Sequence, residues 1–482
     1  MLVRSRVAVL TALCGAALLS GCFPFPPFFP FPPGEFPMGD ETLVVENATD
    51  EDWVLSLVSE VSPATFAIPA GQTGEVATYG FAPTAVALLD PECEEVDSLG
   101  WDASFTGIRI EGAGTLAGAE TVDAGDTETF AEYWECFGGL GTAPEAGEAL
   151  SGGSGSILLA GNDGSAWSLD VVAGELAPVA AGGELEGEHA LSPDGTRIAF
   201  SRYGEMDASS AIYVANVGGD NEELLLEDAA GPVWSPDGTH IAFNNLDPFA
   251  GGTALGVIDV ASGETLELAD EASGPRWSPD GTRIAFTVDD LDAVMSGAFQ
   301  PSELRIVNAD GTGLRTLAEA APFAAAPAWS PDGSLIAFGA LPDGADGADG
   351  GDPLTQEMVI KVYDLDADEA RTVAEMPSSS LSEPSWSPDG ERLAFTVMSL
   401  GLFRTSAAVG IGTPDATTPE QIGVLDDGFY ATPIWSPDGA WIAVTRTSGM
   451  EMSSDLVAIE VASGDEVTLA TGVMYASAWS SD

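Results

Sequence analysis

The pentapeptide Trp-Ser-Pro-Asp-Gly recurs at 234, 277, 329, 386 and 435, with Leu-Ser-Pro-Asp-Gly at 191 and a truncated Trp-Ser-Ser-Asp at 479. Self-similarity at intervals of 43 to 57 residues constrains the fold more than any other feature, because it implies one supersecondary unit stacked on copies of itself. Within the motif, proline presets φ at the second turn position, aspartate tolerates the third, and glycine takes the left-handed conformation. That combination is a tight hairpin with a type I turn and a glycine bulge. After each full motif comes an alternating apolar run: TRIAFS, THIAFN, TRIAFT, SLIAFG, ERLAFT and AWIAVT. Period-two alternation makes these strands.

Each unit continues with a third strand (IYVANV 212–217, LGVIDV 255–260, LRIVNA 304–309, VIKVYDL 359–365, AVGIG 408–412, LVAIEV 456–461). A fourth follows (ELLL 223–226, TLELA 265–269, LRTLA 314–318, RTVA 371–374, QIGVL 421–425, VTLA 467–470). Four antiparallel strands per repeat make a propeller blade. Residues 157–180 supply strands two to four only, and 473–479 supplies a lone first strand. Joined, they form a composite blade that closes the ring from both termini. The expected fold is all-β: a seven-bladed β-propeller over 157–482, with six blades as the alternative, preceded by a small β-sandwich-like domain. The motif tryptophans read as inter-blade packing residues, with a sugar-binding role as the alternative.

The N-terminus reads as an export signal over residues 1–21. Arg4 and Arg6 precede an apolar stretch from Val7 to Leu19, too short to span a bilayer. Leu19-Ser20-Gly21-Cys22 resembles the bacterial lipobox, which implies lipidation of Cys22 and an extracytoplasmic envelope protein. The anchor would sit in the outer membrane or on the outer face of the cytoplasmic membrane. Residues 22–40 are a Pro/Phe-rich tether (FPFPPFFPFPPGEFP at 23–37), extended because proline at this density blocks helix and sheet. Residues 41–145 hold short β-branched runs bounded by turn residues and form the small all-β domain. Its Cys93 and Cys136 are one pair in an oxidising compartment, and a bridge closing that loop would contribute about 4 kcal/mol. Two buried thiols are the alternative. Asn47-Ala48-Thr49 matches a glycosylation sequon and is read as chance. Residues 146–156, small and glycine-rich, read as a linker.

Charge limits the function. There are 14 Lys+Arg against 77 Asp+Glu, a formal net charge of −63. Such a chain repels phosphate backbones, so nucleic acid is excluded as a partner. Cationic partners remain open. The acidity itself reads first as a solubility device in high or variable salt. With His189 and His240 the only histidines, a multi-histidine metal site is arithmetically remote. In LPDGADGADGGDP (341–353), Asp343, Asp346, Asp349 and Asp352 recur every third residue. Carboxylates on a glycine-rich loop suit Ca2+. An EF-hand loop, however, places ligands at every second residue, so the run reads first as a solvated insertion and second as a metal site.

The WSPDGxxIAF repeat, spanning about 330 residues (152–482), resembles the TolB-type (PD40, WD40-like) propeller repeat, also found beside the hydrolase domain of prolyl oligopeptidase relatives. The resemblance implies an extracytoplasmic propeller that binds protein partners, such as an envelope or extracellular protein. TolB proteins usually have six blades and an α/β N-terminal domain, from which this chain departs. No G-x-S-x-G elbow stands in a strand–helix context. The expected function is therefore a lipid-anchored binding or scaffold protein. The alternatives are a glycosidase- or lactonase-type propeller hydrolase with a carboxylate or metal site at the central channel, and a mainly structural envelope protein. The long loops 288–303 and 339–357 place the expected partner site on the face opposite the Ser-Pro-Asp-Gly turns.

Overall fold

The computed structural model describes the strand residues between 42 and 129. From 143 to 481 it describes all but 162–163, 180–185, 204–209, 219–220, 248–251, 290–300, 322–324, 344–356, 377–378, 400–405, 415–418, 427 and 449–453. Cys22, the tether, Cys93 and Cys136 lie outside the described residues. The chain divides into two compact units, one over 31–140 and one holding everything from 141 onward. No helix occurs among the described residues.

The smaller unit contains two sheets. One orders its strands Thr115–Ala119, Gly107–Glu111, Thr42–Asn47, Thr73–Ala77 and Glu128–Thr129; the other orders Ala64–Ile68, Trp53–Val58, Ala85–Leu89 and Glu95–Gly100. Val45, Ile108 and Ile110 of the first and Leu55, Ile68 and Leu88 of the second are fully buried. Asn47 joins the sheets: buried, it donates its Nδ2–H to the Ile68 carbonyl at 3.0 Å. A side chain sealed this way is no glycan acceptor, in keeping with reading the sequon as chance.

The larger unit is a β-propeller by topology: consecutive four-stranded antiparallel meanders, each begun by a motif strand. We number the repeat units by their motifs at 191 (unit 1), 234, 277, 329, 386 and 435 (unit 6). Unit 2 shows the pattern, with strands Ala229–Trp234, His240–Asp247, Gly252–Asp259 and Thr265–Asp270. Its second strand, carrying Ile241, Ala242 and Phe243, is buried, whereas the fourth exposes Leu266 and its neighbours at the rim. The IAF phenylalanines of units 1, 3, 4 and 5 (Phe200, Phe286, Phe338, Phe395) are among the largest fully buried side chains.

The final strand, Glu466–Ser480, does two jobs. Glu466–Ala470 pairs with Ser454–Glu460 as the fourth strand of unit 6, while Val473–Ser480 pairs with Ser156–Gly161, the start of the composite unit. Both halves thus enter one sheet that continues through Ala166–Asp170 and Glu175–Pro178.

Residues 146–156 differ from the linker expected of them. Glu145–Ala146 pairs with Thr471 and Ala470 on the outer edge of unit 6. The N–H groups of Gly147 and Glu148 donate to the Leu469 and Thr468 carbonyls at 2.8 Å. Leu150, 1% exposed, packs in a core shared by unit 6 and the composite unit. The glycines are there for a reason other than flexibility: a Cβ on Gly147 would stand 2.3 Å from the Thr468 carbonyl oxygen, and one on Gly155 1.9 Å from that of Ser480.

Candidate functional site

Two geometries recur along the repeats, one at the motif turns and one within the innermost strands. At the motif end, each turn satisfies itself. In unit 1 the Ser192 hydroxyl donates to Asp194 Oδ1 at 2.6 Å and accepts from the Arg197 N–H at 2.9 Å, while Asp194 also accepts from Thr196. The serine hydroxyl holds the turn aspartate below the usual carboxylate range, to about 2 in Asp194, Asp237 and Asp280, and lowers Asp332 and Asp389 as well. In units 2 to 6 the turn glycine faces the proline of the turn before it, which a Cβ there would touch, as at Gly238 with Pro193 and Gly281 with Pro236, whereas Gly195 of unit 1 faces open space. The tryptophans tie successive units together. The Nε1–H of Trp234, Trp277, Trp329, Trp386 and Trp435 donates to Ala190, Val233, Arg276, Ala328 and Ser385 respectively, at 3.0–3.1 Å. Their indoles are thus engaged between units, as the packing reading expects.

The second geometry lies within the first, innermost strand of each unit. A proline stands two residues before the tryptophan at 232, 275, 327, 384 and 433. Lacking an N–H, it fits where the ladder is interrupted. The register between first and second strands shifts there, between Ala230 and Val233, Ser273 and Arg276, Ser382 and Ser385, and Ala431 and Ile434. The residue before the proline turns left-handed, at φ +65° in Gly231, +59° in Gly274, +56° in Glu383 and +46° in Thr432. At Gly231 and Thr432 the preceding unit supplies the acceptor for its N–H. Ser201 Oγ serves Gly231 at 3.0 Å, and Glu383 Oε2 serves Thr432 at 2.7 Å.

Glu383 is the outlier in this row. It is the charged member, 6% exposed; like Thr432 it holds a left-handed backbone without being glycine, and its Oε1 has no hydrogen-bond partner. Burial pushes its carboxyl up to about 7, opposed by the Thr432 N–H and the Thr396 hydroxyl. A second buried titratable group, His189, sits on the first strand of unit 1. Its Nδ1 is 2.6 Å from the hydroxyl of Tyr475 on the closing strand, its Nε2 has no partner, and burial lowers it to about 4. His189 therefore stays neutral and joins the closing strand to unit 1. Glu383 carries one sequence signal, a charge in a column of small residues. His189 carries none beyond rarity.

Of the acidic run proposed for metal, Asp343 is described and Asp346, Asp349 and Asp352 lie outside the described residues. Asp343 is paired with Lys361, the chain's lysine, at 2.7 Å, and that bond lowers its carboxyl. No group of three His, Cys, Asp or Glu side chains positioned for a metal occurs among the described residues. Asp343 instead ties the base of the 339–357 loop to the third strand of unit 4. At the 288–303 loop, the buried Ser302 hydroxyl likewise donates to Asp289.

No protein-family model matches the chain, and no curated protein matches it. Among solved structures it is similar to TolB from Acinetobacter baumannii (15% identity, 67% of this chain and 81% of that one, TM-score 0.41). It is also similar to the β-propeller domain of the Trilobed protease from Pyrococcus furiosus (14%, 67% and 95%, TM-score 0.46). A third is an oligogalacturonate lyase from Vibrio parahaemolyticus (15%, 67% and 86%, TM-score 0.44).

Proposed function

We propose that this protein is a lipid-anchored extracytoplasmic binding scaffold. In this reading a seven-bladed propeller, preceded by a small β-sandwich-like unit, presents its partner site on the face opposite the motif turns. The observation that carries it is the asymmetry of the two ends. At the motif end the serine and aspartate groups bond within their own turns, and in units 2 to 6 the turn glycine faces the proline of the turn before it. The opposite end bears the variable insertions 288–303 and 339–357, tied at their bases by Ser302–Asp289 and Lys361–Asp343. Variable loops on a rigid frame are the usual form of a recognition surface. The net charge of −63 favours a cationic partner, an envelope or extracellular protein with a basic patch.

Seven blades are supported by a cycle of neighbours. The inner strands Glu186–Leu191, Ala229–Trp234, Ala272–Trp277, Ala328–Trp329, Ser379–Trp386 and Gly428–Trp435 touch in chain order, and the final strand touches both the last and the first of them. The hydrolase reading calls for a pair of carboxyls acting together. Among the described residues one carboxyl is raised, Glu383, and it is bonded to the neighbouring unit rather than presented to solvent.

The test is cross-linking of the lipidated protein on cells. Replacing 341–353 by a short Gly-Ser loop is expected to leave folding nearly unchanged while reducing capture of the partner several-fold. Normal capture by that variant, with capture lost on fold-preserving substitutions in the Ser-Pro-Asp-Gly turns, would place the site on the other face. Mass spectrometry of the mature protein checks the anchor, which is refuted by an unmodified Cys22.

A further inference from the structure

The seam between unit 6 and the composite unit is built differently from the other seams. Elsewhere the motif indole donates to the inner strand of the unit before it, to the residue directly preceding that unit's own Trp or Leu. The corresponding acceptor for Trp479 would be the carbonyl of Ile434. Trp479 instead donates to the Ser154 carbonyl at 2.8 Å. The segment that enters the propeller from the preceding unit has taken over this bond.

The same segment grips both sides of the seam. On unit 6, Glu145–Glu148 lies along the outer edge at Thr468–Thr471. On the composite unit, the Leu150 N–H donates to the Val171 carbonyl at 2.7 Å, and Val171 returns a bond to the Gly155 carbonyl at 3.2 Å. Leu150 is buried in one cluster with Leu469, Ala470 and Val473 of the final strand and Leu169 and Val171 of the composite unit. The guanidinium bracket that ties units 1 to 2, 3 to 4 and 5 to 6 has no counterpart here, where position 441 is tryptophan, just as His240 and Leu335 replace the arginine in units 2 and 4.

We propose that residues 143–155 are a latch. Seated, they seal the ring; tension arriving through the chain from the preceding unit peels them off and opens this seam, leaving the other units intact. The direction of loading makes this workable. The upstream chain joins the segment at its outer end, so a pull reaches the Glu145–Thr471 pair first, then the bonds of Gly147 and Glu148, then Leu150, one at a time. A few bonds loaded in succession yield more readily than a whole sheet loaded together. A propeller tethered at its N-terminal side is pulled through this end whenever its captured partner moves away. The proposal rests on the closed-ring reading.

Two measurements on the full-length protein test it. The first is hydrogen exchange of the wild type, Leu150→Ala and Gly147→Ala, whose added methyl would clash with the Thr468 carbonyl oxygen. The expected result is at least tenfold faster exchange in 156–161 and 473–480, with units 2 to 5 changed by less than twofold. Unchanged exchange in both variants, or an equal rise in every sheet, overturns the latch. Fast exchange of 473–480 already in the wild type refutes ring closure itself, so the two failures are distinguishable. The second is a pull between the N-terminal unit and a handle on the exposed turn at Ser262. The first event should be a reversible extension of about 45 Å, the length of 13 extended residues. A first event that releases an entire unit overturns the proposal.

Discussion

Glu383 stands where the other proline-bearing strands place Gly231, Gly274, Ala326 or Thr432. Its left-handed backbone costs on the order of 1 kcal/mol or more relative to glycine, and its buried carboxylate lacks a cationic partner. Its contribution to stability therefore depends on pH. The ordinary value is 4.5 and the folded value about 7. Below about pH 4.5 both folded and unfolded chains hold the proton, and between 4.5 and 7 only the folded chain does. Stability is thus lost as pH rises through this window, by about 3 kcal/mol at 1.36 kcal/mol per pH unit. Glu383→Gln keeps an acceptor for the Thr432 N–H and removes the titration. The variant should match wild type near pH 4.5 and exceed it by about 2–3 kcal/mol at pH 8 in urea unfolding. A constant difference across that range would show that Glu383 does not titrate within the fold. One of 77 acidic residues, Glu383 could be singled out only by aligning the repeats. Its burial depends on the next unit closing over it, a long-range property that local spacing does not encode.

Among elements, the seams show a device that composition hides. Arg197, Arg283 and Arg392 stand at the start of the second strand in units 1, 3 and 5. Each lies 4.6–5.0 Å over the tryptophan ring of the next unit and donates to the carbonyl of that unit's turn glycine, at 3.1 Å for Arg197 and Arg392. Arg392→Ala should destabilise the protein by about 1–3 kcal/mol, the sum of a ring stack and a charged hydrogen bond. Because the bond goes to a carbonyl and the stack to a ring, with Asp389 adding a minor charge attraction, most of the loss should persist from 0.1 M to 1 M NaCl. A loss that vanishes in 1 M salt would mark an ordinary ion pair. The strands and motif turns follow directly from alternation and from the phi demands of Pro and Gly. The 146–156 segment does not, since glycine chosen for close backbone approach reads the same as glycine chosen for flexibility.

For the whole molecule, charge and closure dominate. With a formal net charge of −63, self-repulsion opposes compactness, and screening shortens from about 10 Å at 0.1 M to about 3 Å at 1 M salt. The melting temperature should rise by several degrees over that range; a flat response would mean that local pairing already neutralises the field. Deleting 473–482 removes the buried Val473, Ala476 and Trp479 and bares the edge of Ser156–Gly161. A melting temperature within a degree or two of full length would refute a ring closed by that strand. The architecture is legible in the repeat because every unit solves the same burial problem. The partner is not, because the proposed site lies in insertions that differ between units.

The indole bonds all point the same way, each from a later unit to an earlier one. Such a chain of bonds has an order in time. A unit emerging during synthesis finds its acceptor already made and docks on a finished surface, so assembly can proceed as a queue from the N-terminal side. The composite unit breaks the queue. Its last three strands are made first and must wait, one edge bare, until the final residues arrive. The interval between the first and last of them is the time in which a half-built ring is exposed to aggregation, and the order of synthesis makes it the longest wait in the molecule.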